Sequence, residues 1–157
     1  VSYYGREYLR FAALSPRTRF ARLCNATGKY IDAPEFEPDA EGLVEALREL
    51  SAYKLPMIVA ANGIGAEDDA ARCQFLSDHA AALRRARDEG LDLRGYFHRS
   101  LLDGFEWHEG YGRPYGLVHV DRQRSIRTAK PSAQLFRELI RTGTISPGAP
   151  RRLRGKS

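Results

Sequence analysis

Glu106 and Trp107 are neighbours in the chain, a carboxylate that accepts hydrogen bonds beside an indole that donates one and presents an apolar face. Such a pair suits a polyhydroxylated ring, whose hydroxyls meet the acceptor and whose C–H face stacks on the indole. The alternative is a loop in which Trp107 anchors packing and Glu106 is solvated. The other chemically capable residues point nowhere comparable. His79, His98, His108 and His119 share no metal-site spacing, and Cys24 and Cys73 lie far apart without a Cys-x-x-Cys, so no zinc site, disulfide framework or cofactor is expected. Reduced thiols in a cytoplasmic setting are the default expectation. Glu67, Asp68 and Asp69 precede a helical pattern, where acids complement the helix dipole more readily than they serve as stand-in catalytic groups.

These residues need elements to hold them. Val1–Leu9 reads as a short aromatic strand, and Arg10–Glu37 as an irregular connection punctuated by Asn25, Gly28, Pro34 and Pro38. An Asp39 cap then opens a helix with Leu43, Val44, Leu47 and Leu50 on one face, expected to pack outside a sheet. Leu55–Ala61 is a continuous apolar run of strand length, the pattern of a strand covered on both faces, and Asn62-Gly63 reads as the turn that ends it. Ala71–Asp88 is expected to be helical, with Phe75, Leu76, His79, Ala80 and Leu83 on its inner stripe and Gly90 as the stop. His79 therefore reads as a packed, hydrogen-bonded histidine. Leu93–His98 is the next strand, making a βαβ unit with parallel strands. Gly116–Asp121 and Ser125–Arg127 form a small strand pair. A last helix begins at Pro131, carries Leu135, Phe136, Leu139 and Ile140, and stops at Gly143.

At 157 residues the chain falls in the range of one ordinary globular domain. The formal charge of +5 is unevenly placed: from Arg122 onward ten Lys and Arg face a single acid, Glu138, while residues 1–121 carry a net −4. The basic end, Arg151-Arg152-Leu153-Arg154-Gly155-Lys156, has no interleaved aromatics, so a solvated or partner-contacting tail over residues 144–157 is expected and nucleic acid is not. No apolar run reaches 18 residues, so no membrane span is expected, and the first residues do not read as a signal peptide. The absence of an initiator Met fits a cut or processed fragment.

Five landmarks in order resemble glycoside hydrolase family 1, the β-glucosidase family. Ser2-Tyr3-Tyr4-Gly5-Arg6-Glu7-Tyr8 is similar to its Asp-Phe-x-Gly-x-Asn-Tyr strand, and Glu41-Gly42-Leu43 to the Pro-x-Gly-Leu opening of the next helix. Val59-Ala60-Ala61-Asn62-Gly63 resembles the strand ending in Thr-Glu-Asn-Gly. Tyr96 to Asp121 resembles the last strand and its sugar loop, and Arg127-Thr128-Ala129-Lys130-Pro131-Ser132-Ala133 is similar to Arg-x-x-Lys-x-Ser-Ala. The resemblance implies an α/β fold that is a partial TIM (β/α)8 barrel, covering strands six to eight and their helices over residues 1–143, because a complete barrel typically needs about 250 residues. It also implies that Glu106, Trp107 and Tyr115 contact the sugar, and Arg99 and Glu7, at positions that depart from the family pattern, complete the candidate substrate-binding set.

The departures concern the chemistry. Retaining glycosidases use two carboxylates about 5–5.5 Å apart, one as nucleophile and one as acid/base. By the resemblance the nucleophile position is Ala61, a methyl group that cannot form a glycosyl-enzyme bond, and the Asn-Glu-Pro motif of the acid/base does not occur. Glu7 replaces an Asn, Ala60 a Thr, Arg99 a Trp, and Gly104 an Asn. Arg99 is expected to seek a carboxylate, with Glu7 as one partner, or else to be exposed. Arg113 and Tyr115 also resemble the phosphate-binding positions of the 6-phospho-β-glycosidase branch, although Glu106 would repel a phosphate. The leading expectation is a catalytically silent module that retains part of a sugar pocket, binds a small carbohydrate and is completed by a second protein chain. The alternatives are an active β-glycoside hydrolase or transglycosidase whose carboxylates come from a partner, and an interaction scaffold using the basic tail.

Overall fold

The structure is a computed structural model that describes residues 1–6, 8–12, 20–24, 37–107 and 109–143. Its elements run β1 (Tyr8–Ala12), β2 (Phe20–Cys24), α1 (Ala40–Ser51), β3 (Met57–Asn62), α2 (Asp69–Asp88), β4 (Leu93–His98), β5 (Val118–Asp121), β6 (Ile126–Ala129) and α3 (Pro131–Thr142). The centre is the βαβ unit: β3 and β4 pair in parallel, as they must when a 20-residue helix carries the chain back across the sheet. The first residues extend this sheet along the free edge of β3. The Val1 ammonium donates to the Ile58 carbonyl at 2.8 Å, Ala60 N to the Val1 carbonyl at 2.7 Å and Tyr3 N to the Ala61 carbonyl at 2.9 Å. Ser2 and Ala61 form a parallel bridge. The strand expected over Val1–Leu9 is thus divided. Its first residues follow β3, whereas Tyr8 already belongs to an antiparallel hairpin with β2, in a stretch that composition marks as irregular.

Asp39 caps α1, its Oδ1 accepting from Gly42 N at 3.0 Å. The helix packs Leu43 and Leu47 against Met57, Val59 and Leu83, and burial of each large side chain contributes about 1.5–3 kcal/mol relative to exposure. Leu50 departs from the expected stripe and is 38% exposed. The larger correction concerns β3. Met57 and Val59 are buried, but Ile58 is 46% exposed and Ala60 is exposed, so only one face is covered. Phe97 on β4 is exposed on the same open face: a Cβ built on Gly95 would touch both Ile58 and Phe97. Helices α1 and α2 lie on the other side, and nothing among the described residues covers this one.

Helix α2 begins at an Asp68 cap, whose Oδ1 accepts from Ala70 N, and places Phe75, Leu76, His79, Ala82, Leu83 and Ala86 inside, with Ala80 half-buried. His79 stacks on Phe75 with its Nδ1 2.8 Å from the Phe75 carbonyl, the packed histidine that its position on the stripe suggests. Helix α3 has Pro131 in its first turn and ends where Gly143 takes a left-handed conformation (φ 68°) that a side chain would strain. Leu135 is buried against Leu76 and Leu117, but Ile140 is exposed, since α3 touches α2 along only part of its length. β5 and β6 form the expected antiparallel ribbon. The tail over residues 144–157 lies outside the described residues.

Candidate functional site

Strands β3 and β4 end side by side, Asn62 opposite His98, and the site is built on these ends. Asn62 does not begin a turn. It is the last residue of β3 and fully buried, its Nδ2 donating to the Tyr3 carbonyl at 2.7 Å while its Oδ1 accepts from the Tyr96 hydroxyl at 2.9 Å. The Asn-Gly pair instead marks a close approach: a Cβ on Gly63 would collide with the Arg99 carbonyl. Arg99 N donates to the Asn62 carbonyl at 2.9 Å, so the two strand ends are pinned together. Ala61, whose carbonyl is held by Tyr3 N, places only a methyl group there.

The loop after β4 folds back on this end. Glu106 and Gly110 exchange two backbone hydrogen bonds, both 2.7 Å, with Gly110 at φ 60° closing the turn. Asp103 secures the loop's base. It is buried, accepts from Gly116 N at 2.8 Å and Lys130 Nζ at 2.8 Å, and Lys130 also reaches the Gly116 carbonyl at 2.7 Å. A Cβ on Gly116 would strike the Asp103 backbone, so only glycine lets the chain pass here. Ser100 N donates to the Tyr115 carbonyl at 3.1 Å, which seats Tyr115 beside Arg99. Burial, foremost, raises the Tyr115 hydroxyl above its ordinary pKa, keeping it a neutral donor.

Arg99 has a partner. Its Nη2 binds Glu106 Oε2 in an ion pair, and its guanidinium lies 5.5 Å from the centre of the Tyr115 ring. Glu7, the partner suggested by the sequence, lies outside the described residues, as does His108. Glu106 is therefore paired rather than merely solvated, and Trp107 anchors no packing: it is 90% exposed. Glu106, Arg99 and Tyr115 are brought together beside the Ala61 strand end, and Trp107 projects from the same loop. Arg113, the phosphate-like position, is paired with Glu109 at 3.2 Å. Among the described residues no three His, Cys, Asp or Glu could hold a metal ion, and no helix is long and apolar enough to cross a membrane. A cleft of about 1040 Å³ lies at the opposite, N-terminal end of β4, lined by Leu83, Arg84, Tyr96 and Leu139, and takes no part in this cluster.

Sequence reasoning missed the residues that support the site. Arg72 is completely buried on α2, bonding Asp69, the Ala66 carbonyl at 2.6 Å and the Pro114 carbonyl, which ties the start of α2 to the segment carrying Tyr115. Asp69 in turn accepts from Ser132 N and Oγ at 2.8 and 2.7 Å. Burial by itself raises the Asp69 carboxyl, but the Ser132 hydrogen bonds and the Arg72 guanidinium outweigh it and hold it below its ordinary value. Extending the α2 stripe back three and four residues from Phe75 and Leu76 reaches Arg72, the one signal available beforehand.

The sequence profile of glycosyl hydrolase family 1 matches residues 24–144. A β-galactosidase of Sulfolobus acidocaldarius is 39% identical over 112 residues, 71% of this chain and 22% of the relative. The galactolipid galactosyltransferase SFR2, chloroplastic, of Arabidopsis thaliana is 30% identical over 156 residues, 93% of this chain and 23% of the relative. Among solved structures, a β-glycosidase from Pyrococcus horikoshii superposes with a TM-score of 0.80 at 31% identity, covering 94% of this chain and 35% of that one. A β-glucosidase from Thermotoga maritima in complex with glucoimidazole gives a TM-score of 0.75 at 26% identity, covering 91% and 34%. This chain thus spans about a quarter or less of these curated relatives and about a third of the solved chains.

Proposed function

Because this chain belongs to glycosyl hydrolase family 1, we propose that it is a catalytically silent β-glycosidase-like module that keeps part of a sugar pocket and works within a barrel completed by further polypeptide. On this reading the Val1–Tyr3 segment, β3 and β4 are barrel strands six, seven and eight, with α1, α2 and α3 as their outer helices. The observation that carries it is Ala61. At the C-terminal end of β3, the end at which (β/α)8 enzymes keep their catalytic groups, the chain offers a methyl group. A methyl cannot attack an anomeric carbon, and Arg99 and Glu106 are engaged with each other a few residues away in space.

The open face of Ile58, Ala60 and Phe97 supports completion, since apolar sheet faces are rarely left to water. Cys73 is a free thiol whose pKa burial, foremost, raises to about 11, which keeps it protonated and unreactive. A second reading, an active hydrolase or transglycosidase with carboxylates supplied in trans, is favoured by the relative named a galactosyltransferase over 93% of the chain and by the presence of Glu106, Trp107 and Tyr115. The two differ in turnover. With the complementary barrel segment co-expressed, the assembly is expected to release no nitrophenol from aryl β-glucosides above a buffer blank. Turnover that disappears in Glu106→Ala would establish the second reading and end the first. A chain that is monomeric, compact and cooperatively folded by itself would remove the need for completion.

A further inference from the structure

Helices α2 and α3 meet where Leu76 touches Leu135, and then part. Beyond that contact lies the cleft of about 1040 Å³, whose apolar floor is Leu83 from α2, Leu93 and Tyr96 from β4, and Leu139 one turn past Leu135. Leu93 and Tyr96 also pack on the cluster of Leu43, Leu47 and Val59. The cleft is therefore on the helix side of the sheet, away from the open face of Ile58 and Phe97 and from the loop after β4. Arg84 and Arg87 stand exposed on its α2 wall, one helical turn apart, and among the described residues neither has an ion-pair or hydrogen-bond partner. This sets them apart from their neighbours. On the same helix Arg72 is paired with Asp69 and Arg85 with Glu41, while Arg94 in the cleft is held by Asp92. Of the charged side chains that line the cleft, Arg94 and Asp92 thus cancel, leaving two guanidiniums against Asp88 alone. The next acid, Glu89, is taken by Arg48. The chain beyond Gly143, another lining residue, carries Arg151, Arg152, Arg154 and Lys156 and no acid.

We propose that this interhelical cleft binds an amphiphilic carboxylate, an aliphatic chain with one anionic head, Arg84 and Arg87 holding the head while Leu83, Leu93, Tyr96 and Leu139 line the chain. Two guanidiniums one turn apart offer a carboxylate paired, charge-assisted donors. The floor gains by shedding water onto an apolar chain. A small anion would leave that floor wet, and a cationic amphiphile would face the arginines. The site stands whether or not the chain is a sugar module, because it shares no residue with the strand ends around Ala61.

The test is calorimetric titration of the full 157-residue chain with decanoate, acetate and decyltrimethylammonium, the two ten-carbon amphiphiles kept below their micelle concentrations. The same titrations are run on the double variant Arg84→Gln, Arg87→Gln and on Ile58→Ser, Phe97→Ser, which alters the open sheet face. All four positions are exposed, and far-UV circular dichroism checks that each variant is folded. Decanoate is expected to bind the wild-type chain at one site, and acetate and the cation to give no measurable binding. The arginine variant should bind decanoate about tenfold more weakly, the scale of a charge-assisted hydrogen bond. Added salt should weaken binding to the wild type and not to that variant. The Ile58 and Phe97 variant should bind as the wild type does. Decanoate binding that survives in the arginine variant, or that disappears in the Ile58 and Phe97 variant, would move the ligand out of this cleft and overturn the proposal. Equal binding of the cationic amphiphile would leave an apolar groove without head-group recognition, and equal binding of acetate an anion site without a chain. The absence of decanoate binding to the wild-type chain would end the proposal outright.

Discussion

His98, at the end of β4, is the residue on which the pH response of this fold turns. It packs against Phe136 with ring centres 5.8 Å apart, and neither ring nitrogen has a hydrogen-bond partner; the Tyr115 backbone lies close without reaching bonding geometry. Burial, helped by the Arg72 guanidinium, pushes its pKa down from 6.5 to about 4. Above pH 6.5 the ring is neutral in both folded and unfolded chains, so its burial carries no ionic penalty. Between pH 6.5 and 4 the unfolded chain takes up a proton that the folded chain refuses, and stability falls, by up to about 3 kcal/mol at the lower end. His79, also lowered by burial, acts in the same direction. Urea unfolding between pH 7.5 and 4 should therefore show a falling free energy, and His98→Phe should flatten the slope. A variant with the wild-type profile would assign the effect to His79 and to Asp69, whose lowered carboxyl also loses stability as pH falls. At this scale the sequence named Glu106, Trp107, Tyr115 and Arg99, but it could not pair Arg99 with Glu106, because seven residues of separation along a loop fix no distance until the turn closed by Gly110 is known.

At the scale of elements, α2 does more than cover the sheet. Its buried Arg72 bonds the Ala66 and Pro114 carbonyls, and its first-turn Asp69 holds the start of α3 through Ser132, so one helix terminus registers the loop after β3, the Tyr115 segment and α3. Removing one partner of such a buried network leaves the others desolvated and unpaired. Arg72→Met, which keeps the apolar stem, is expected to cost about 3–5 kcal/mol in denaturant unfolding and to shift the Tyr115 segment. A loss within about 0.5 kcal/mol, the scale of an ordinary surface substitution, would show the network to be dispensable. The helices and the β3–β4 pair were legible beforehand because their signals are local: caps at Asp39 and Asp68, three-to-four residue stripes, a glycine stop. The β1–β2 hairpin was not, since Tyr8–Ala12 and Phe20–Cys24 carry Arg10 and Arg22 opposite each other and no clear alternation.

For the whole molecule, the open face of β3 and β4 decides the outcome. Ile58 and Phe97 (61% exposed) stand on it together, and a barrel interior is the surface that would close over them. On the proposed completed-barrel reading, replacing both by Lys should leave the chain's own melting nearly unchanged, because neither side chain is buried here, yet abolish association with a complementary barrel segment in size-exclusion chromatography. A double variant that still associates would place the seam elsewhere. The sequence by itself determined the family and the order of elements from α1 onward, because motifs and periodicities are properties of neighbours along the chain. It read Leu55–Ala61 as covered on both faces, since an apolar run records what a strand is built to meet. Only the tertiary structure decided that one of those faces is bare, that Arg99 holds Glu106 and that a buried arginine secures the site, because solvent exposure and ion pairing depend on which distant segments come within a few ångströms.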